Sequence, residues 1–201
     1  SYKYQGVKNL MPVTINGDGS ITGLSVGGLP NGTVDADTLA SGLATQGITM
    51  VDHWRMSADS TAGAEAVLTN WTQISTANHQ PGRVGSSLSV SCGVFTFPST
   101  GIYNITASFA FYFGTADDAI GQIFLKVSYD GSNYNTVSAW RCGNYDNNLH
   151  QTTTQNYVLD VDNTSNVKFY FETDSFSANT ELRGDANNGE SNVTIIRLGG
   201  T

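Results

Sequence analysis

Gly23-Leu-Ser25-Val-Gly27 has the G-x-S-x-G spacing of a nucleophile elbow, in which a serine sits on a sharp turn between a buried strand and a helix. Neither element is predicted around Ser25. Asn16-Gly17, Asp18-Gly19, Gly27-Gly28 and Asn31-Gly32 punctuate the surrounding chain instead, so the motif lacks the frame that would activate it. The three histidines, His53, His79 and His150, are far apart, and none has a partner at metal-ligand spacing. His53, beside Trp54, reads as a strand residue packed at an interface, and the other two read as solvated loop residues. Oxygen-rich loops at Asp117-Asp118, Asp130, Asn144 to Asn148, Asp160 with Asp162-Asn163, and Asp185 to Glu190 are the candidates for calcium. Residues 184–190 lack EF-hand spacing, and turn formation in water is the plainer reading, so no cofactor is expected. Arg183-Gly184-Asp185 spells an integrin-type tripeptide, and Asn31, Asn70, Asn104, Asn163 and Asn192 begin glycosylation sequons. Matches this short are expected by chance in a chain rich in Asn, Ser and Thr. The aromatics carry more. Tyr134, Trp140 and Tyr145, with Asp146 beside them, are the candidate ligand-binding set: rings for stacking on a sugar, and a carboxylate for its hydroxyls.

The elements that must position these residues are strands. From Tyr103, the residues Tyr103, Ile105, Ala107, Phe109, Phe111 and Phe113 alternate with Asn104, Thr106 and Ser108, which predicts a long strand with one buried face. Phe95 and Phe97 predict a shorter strand, stopped by Pro98, with Gly101 supplying a turn. Other expected strands are Met50 to Met56, Val67 to Trp71, Leu88 to Val90, Gln122 to Tyr129, Asn133 to Arg141, Tyr157 to Val161, Val167 to Phe171 and Val193 to Leu198. Asp59 to Gly63 reads as a polar turn between the first two of these. The chain has 201 residues, only 13% of them charged, and 22 glycines, an all-β composition.

The net charge of −8 excludes attraction to a phosphate backbone, so nucleic acid is not an expected partner. No apolar run reaches the length of a membrane helix, and Ser1-Tyr-Lys-Tyr-Gln shows no signal-peptide core, so neither membrane insertion nor signal-directed export is expected. Cys92 and Cys142 rule out a disulfide scaffold; one bridge and two free thiols both remain open. Residues 1–48 are too rich in Gly and Asn to build a core and read as an anchoring arm and connector. One short helix is expected there, from the Asp35 cap to Gly42. Residues 49–201 read as the head domain.

The phrase Phe97-Pro98-x-x-Gly101-x-Tyr103, followed by an aromatic alternating strand, resembles the F-x-x-P-x-x-G-x-Y signature of complement globular-head and tumour-necrosis-factor-like jelly rolls. The resemblance implies a jelly-roll β-sandwich that assembles as a homotrimer, with Pro98 and Gly101 as the structural turn. It also implies that Tyr103, Phe109, Phe111 and Phe113 form core and trimer seam. Leu29 to Gly42 resembles connectors that precede head domains in bacteriophage tail fibres and other virion-surface proteins. Together they imply a non-enzymatic virion structural protein located at the particle surface. Its arm would contact other virion proteins, and its head would act as a tail-fibre or spike tip that meets a host receptor or glycan. Capsid decoration through residues 1–48 is the alternative, and a secreted carbohydrate-binding module is a second.

Overall fold

The computed structural model describes residues 14–15, 21–22, 47–60, 66–74, 83–114, 120–143, 146–177 and 179–201. The chain divides into Ser1–Gln46 and Gly47–Thr201. In the first unit, β1 (Thr14–Ile15) pairs antiparallel with β2 (Ile21–Thr22). The expected helix at residues 35–42 and the Ser25 motif lie outside the described residues.

The second unit is all β, a sandwich of two antiparallel sheets, and no described residue there is helical. Its strands are β3 (Met50–Met56), β4 (Ala58–Ser60), β5 (Trp71–Gln73), β6 (Ser89–Ser91), β7 (Val94–Thr96) and β8 (Gly101–Phe113). They continue with β9 (Ile120–Ser128), β10 (Tyr134–Gly143), β11 (Leu149–Val161), β12 (Lys168–Asp174), β13 (Thr180–Asp185) and β14 (Asn192–Gly199). One sheet has the order β10-β9-β12-β7-β6. The other has seven strands centred on β8, which takes β11 along its full length on one edge. On the other edge β8 takes β14 and then β13, and β3, β5 and β4 extend outward from these.

The 13 residues of β8 alternate buried and half-buried without a break, as their sequence pattern predicts. Their inward side chains meet those of the opposite sheet in an aromatic core. Phe95 and Phe169 stack at 4.7 Å between ring centres, and Phe109 meets Trp140 edge to face at 5.5 Å. Asp52 is fully buried in β3 but well supplied with donors, receiving Trp54 Nε1–H at 2.9 Å, Gln73 Nε2–H at 2.6 Å and the Leu88 amide at 2.8 Å.

The corner before β8 explains the sequence phrase in physical terms. Phe97 packs on Tyr103 at 4.6 Å, and the Tyr103 hydroxyl donates back to the Ser99 carbonyl at 2.9 Å. Gly101 has φ +147°, and a Cβ there would lie 2.5 Å from the Gly199 carbonyl oxygen and 2.6 Å from Arg197 Nε. The backbone of β14 approaches so closely that only glycine fits.

Three expectations are corrected. Asp59, read as part of a turn, lies in β4, because its carboxylate bonds the Gly184 amide at 2.8 Å and Arg183 at 2.7 Å on β13. Val67 to Trp71 is not one strand: Val67 makes an isolated bridge to Glu172, and β5 begins at Trp71. The strand expected at Tyr157 begins eight residues earlier, at Leu149.

Candidate functional site: two outward sheet faces

With the inward faces committed to the core, binding chemistry falls to the two outward faces and their edges. On the seven-stranded sheet, the even-numbered residues of β8 point outward: Ile102, Asn104, Thr106, Ser108, Ala110 and Tyr112 are all half-buried. Their register neighbours are Thr154, Asn156 and Val158 on β11 and Asn192, Thr194 and Ile196 on β14. Thr154 Oγ1–H donates to Ser108 Oγ at 2.8 Å, and Asn104 Nδ2–H to Thr106 Oγ1 at 3.0 Å. Apart from His53 and Arg55 on β3, the rows through Asn104, Thr106 and Ser108 carry no titratable side chain; Asp160 stands beside Ile102 at one end, and His150 beside Tyr112 at the other. Both exceptions hold a buried nitrogen without a hydrogen-bond partner, His53 Nε2 and Arg55 Nε. Burial holds the His53 imidazole below its ordinary pKa, against the opposing pull of Asn192 and Asp52. At the β8 N-terminal end Ile102, Val51 and Ile196 make the face largely apolar, with Val158 and Leu198 more than half exposed and the exposed Asp160 beside Ile102 as its one carboxylate.

The outward face of the five-stranded sheet is built from different residues. Phe124 and Lys126 on β9, Tyr170, Glu172 and Asp174 on β12, and Tyr134 and Arg141 on β10 share it. Lys126 pairs with Glu172 at 3.5 Å and lies 5.7 Å from the Phe124 ring centre. Gln122 Nε2–H donates to Asp174 Oδ2 at 3.0 Å, and Arg141 Nε–H donates to Gln122 Oε1. The Tyr134 and Tyr170 rings are 4.8 Å apart, and burial together with Glu172 pushes the Tyr170 hydroxyl up to about 12.

The candidate ligand-binding residues do not converge. Tyr134 stands on the five-stranded outer face. Trp140 is fully buried, with Nε1–H donating to the Ala107 carbonyl of the opposite sheet at 2.9 Å, so it ties the sheets together and has no surface to offer a sugar. The physical reason is a bulge: the β10–β9 register shifts between Thr136 and Ser138, so even-numbered residues face outward before it and inward after it. Asp146 accepts the Asn147 amide at 2.7 Å beyond the far end of β10, roughly 30 Å of strand from Tyr134. Tyr145 lies outside the described residues. Tyr103, Phe109, Phe111 and Phe113 are fully buried within one chain, as members of the sandwich core.

The acidic loops at Asp130 and Asp185 are self-satisfied turns. Asp130 accepts the Ser132 and Asn133 amides at 2.9 and 2.7 Å and Asn133 Nδ2–H at 2.6 Å, which hold its carboxyl far below the usual range. Asp185 caps the turn at Asn187 and Asn188, and its pKa is lowered by those two amides. Among the described residues no three His, Cys, Asp or Glu side chains gather as a metal requires. The tripeptide at Arg183 is held in β13, its guanidinium clamped by Asp59 and by Glu181 at 3.1 Å, rather than displayed on a loop. Both cysteines are free: Cys92 is exposed, and burial pushes the Cys142 thiol up.

Neither a protein-family model nor a curated protein matches the chain. Solved structures do. Eiger TNF from S. frugiperda aligns over 77% of this chain and 96% of its own with 10% identity and a TM-score of 0.59. Murine APRIL at pH 5.0 aligns over 74% of this chain and 98% of its own with 13% identity and a TM-score of 0.54. At pH 8.5 the same protein gives 11% identity and 0.51. At such identities the likeness lies in the fold, which is a tumour-necrosis-factor-like jelly roll.

Proposed function

We propose that this chain is a non-enzymatic structural protein whose jelly-roll head assembles as a homotrimer and projects from a virion surface, where it meets a host receptor or glycan. The observation that carries the trimeric head is the outward face of the seven-stranded sheet. Its central rows are nearly uncharged, half-buried on β8 and β14, exposed on β11 and largely apolar at one end, the composition of a subunit contact rather than of a solvated sheet. Strand β11 adds a 13-residue edge with no ladder partner on its outer side among the described residues. The resemblance to jelly rolls that assemble around a three-fold axis supports the same arrangement. The virion setting rests on the connector-like stretch from Leu29 to Gly42 and on the Gly- and Asn-rich composition of the arm. Capsid decoration through that arm is the second reading, favoured by a sequence with no heptad or Gly-x-y shaft between arm and head.

Solution mass tests the assembly. A particle of three 21.4 kDa chains is expected, and a stable monomer would overturn the trimeric head. Locating the chain on an intact particle tests the setting: density on a tail tip or on the capsid separates the two readings, and density on neither removes both.

A further inference from the structure

The seven-stranded sheet forks. β14 pairs with β8 up to Ser108, and β13 takes over from Phe111, so Phe109 and Ala110 sit where the two strands part. Ser191 Oγ bridges the gap by accepting the Ala110 amide at 3.1 Å. On the outward side this fork opens a cleft of about 310 Å³, floored by Ala110 and walled by His150, Gln151, Thr152, Arg183 and Glu190. It lies at the opposite end of β8 from the apolar rows at Ile102, about 26 Å along the strand.

One wall comes from β11, whose register sets His150 beside Tyr112 and Thr152 beside Ala110. The His150 ring, which lines the cleft, lies 4.7 Å from the Tyr112 ring behind it, and the Tyr112 hydroxyl donates to Asn148 Oδ1 at 2.7 Å, which fixes the pair. Across the cleft the Arg183 guanidinium lies 5.8 Å from the Tyr112 ring centre, clamped by Asp59 and Glu181. Glu190 approaches Arg183 Nε only to 3.8 Å, a loose contact that leaves its oxygens able to accept from a ligand.

Size, polarity and charge converge on one ligand class. The volume is at the small end of ligand pockets, enough for one ring and not for a chain. Amide, hydroxyl, guanidinium and carboxylate offer donors and acceptors together, which matches the rim of hydroxyls on a pyranose, and the His150 ring beside them can meet its C–H face. A cationic ligand would sit against Arg183, and an anionic one against Glu190 and Glu181. A neutral ring meets neither penalty. We propose that this cleft binds a single neutral pyranose, such as the terminal sugar of a surface glycan; the proposal rests on the adhesion part of the function proposed above and gives it a location.

The test titrates the intact protein with methyl glycosides of glucose, galactose and mannose, and with N-acetylneuraminic acid, by saturation-transfer NMR. At least one neutral glycoside is expected to bind and the acidic sugar is not. Thr152→Tyr fills the cleft from an exposed edge position and should weaken binding at least about tenfold, while Lys126→Ala on the other sheet should leave it unchanged. Thermal melts and solution mass of each variant guard against misfolding. No neutral binding by the wild type, binding that survives Thr152→Tyr, or preference for the acidic sugar would each overturn the site. Attachment of the wild type to host cells, measured alongside, separates the two readings: cell binding without pyranose binding sinks the cleft and spares adhesion. Loss of both sinks both.

Discussion

The two outward faces both stand on antiparallel sheets covering one aromatic core, yet their side chains differ in kind. The face around Asn104, Thr106, Thr154, Asn156 and Thr194 is almost uncharged and bonds to itself. The face around Phe124, Lys126, Tyr170, Glu172 and Asp174 pairs charge with charge and lays aromatic rings beside them. Desolvating an unpaired charge costs several kcal/mol, whereas uncharged hydroxyls and amides can exchange water for a partner's groups at little net cost. The first face is therefore suited to burial against a second copy, and the second to lasting contact with water.

Removing what both faces share should have the largest effect. Trp140→Ala empties the space between the sheets and orphans the Ala107 carbonyl, and urea unfolding should report a loss of about 3–5 kcal/mol. Thr106→Arg separates the faces: a charge at the centre of the uncharged rows should cost roughly 3 kcal/mol of association and convert the particle to monomers by solution mass. Glu172→Lys, which places two cations together on the other face, should leave the mass unchanged, and an equal effect of the two substitutions would erase the distinction.

Gly101→Ala tests the corner that launches β8. Its φ and the approach of Gly199 predict a loss of about 1–3 kcal/mol by thermal or chemical unfolding, with assembly retained. A double-mutant cycle on Lys126 and Glu172 should return only about 0.2–1 kcal/mol, since the pair gains little over its hydration. His53 gives the finest effect. Its folded pKa lies below the ordinary 6.5, so the unfolded chain binds the proton more readily; stability is fully present above pH 6.5 and declines as pH falls toward the folded value. Comparing the thermal midpoint at pH 7.5 and 5.5 should show that decline, and His53→Gln should reduce it.

Much of the core and of the architecture was legible because period-2 alternation needs no partner to be seen. Tyr103 to Phe113 is such a run, and the Phe97, Gly101 and Tyr103 corner is local enough to be written in seven residues. The first half of β11, Leu-His-Gln-Thr-Thr-Thr-Gln-Asn, has no apolar alternation. It is a strand because β8 beside it offers a free edge. The same holds for β4, which exists through Asp59 and its bonds to β13. The ligand-binding set failed at Trp140 for a related reason: a single extra residue near Val137 reverses the facing of everything after it, and a bulge leaves no mark in composition. The cleft at Ala110 was missed because its walls come from β8, β11, β13 and the turn before β14, which no spacing in the chain connects.

The sequence by itself determined which residues must leave water, and hence the alternating strands such as β8, the corner at Gly101 and a sandwich closed around aromatic rings, because burial of apolar area acts on each residue in proportion to its type. Tertiary structure alone decided which face Trp140 occupies, where β14 parts from β13, and how Arg183 comes to lie between Asp59, Glu181 and Glu190. Those outcomes depend on register and on partners far along the chain, and register is fixed only when whole strands meet.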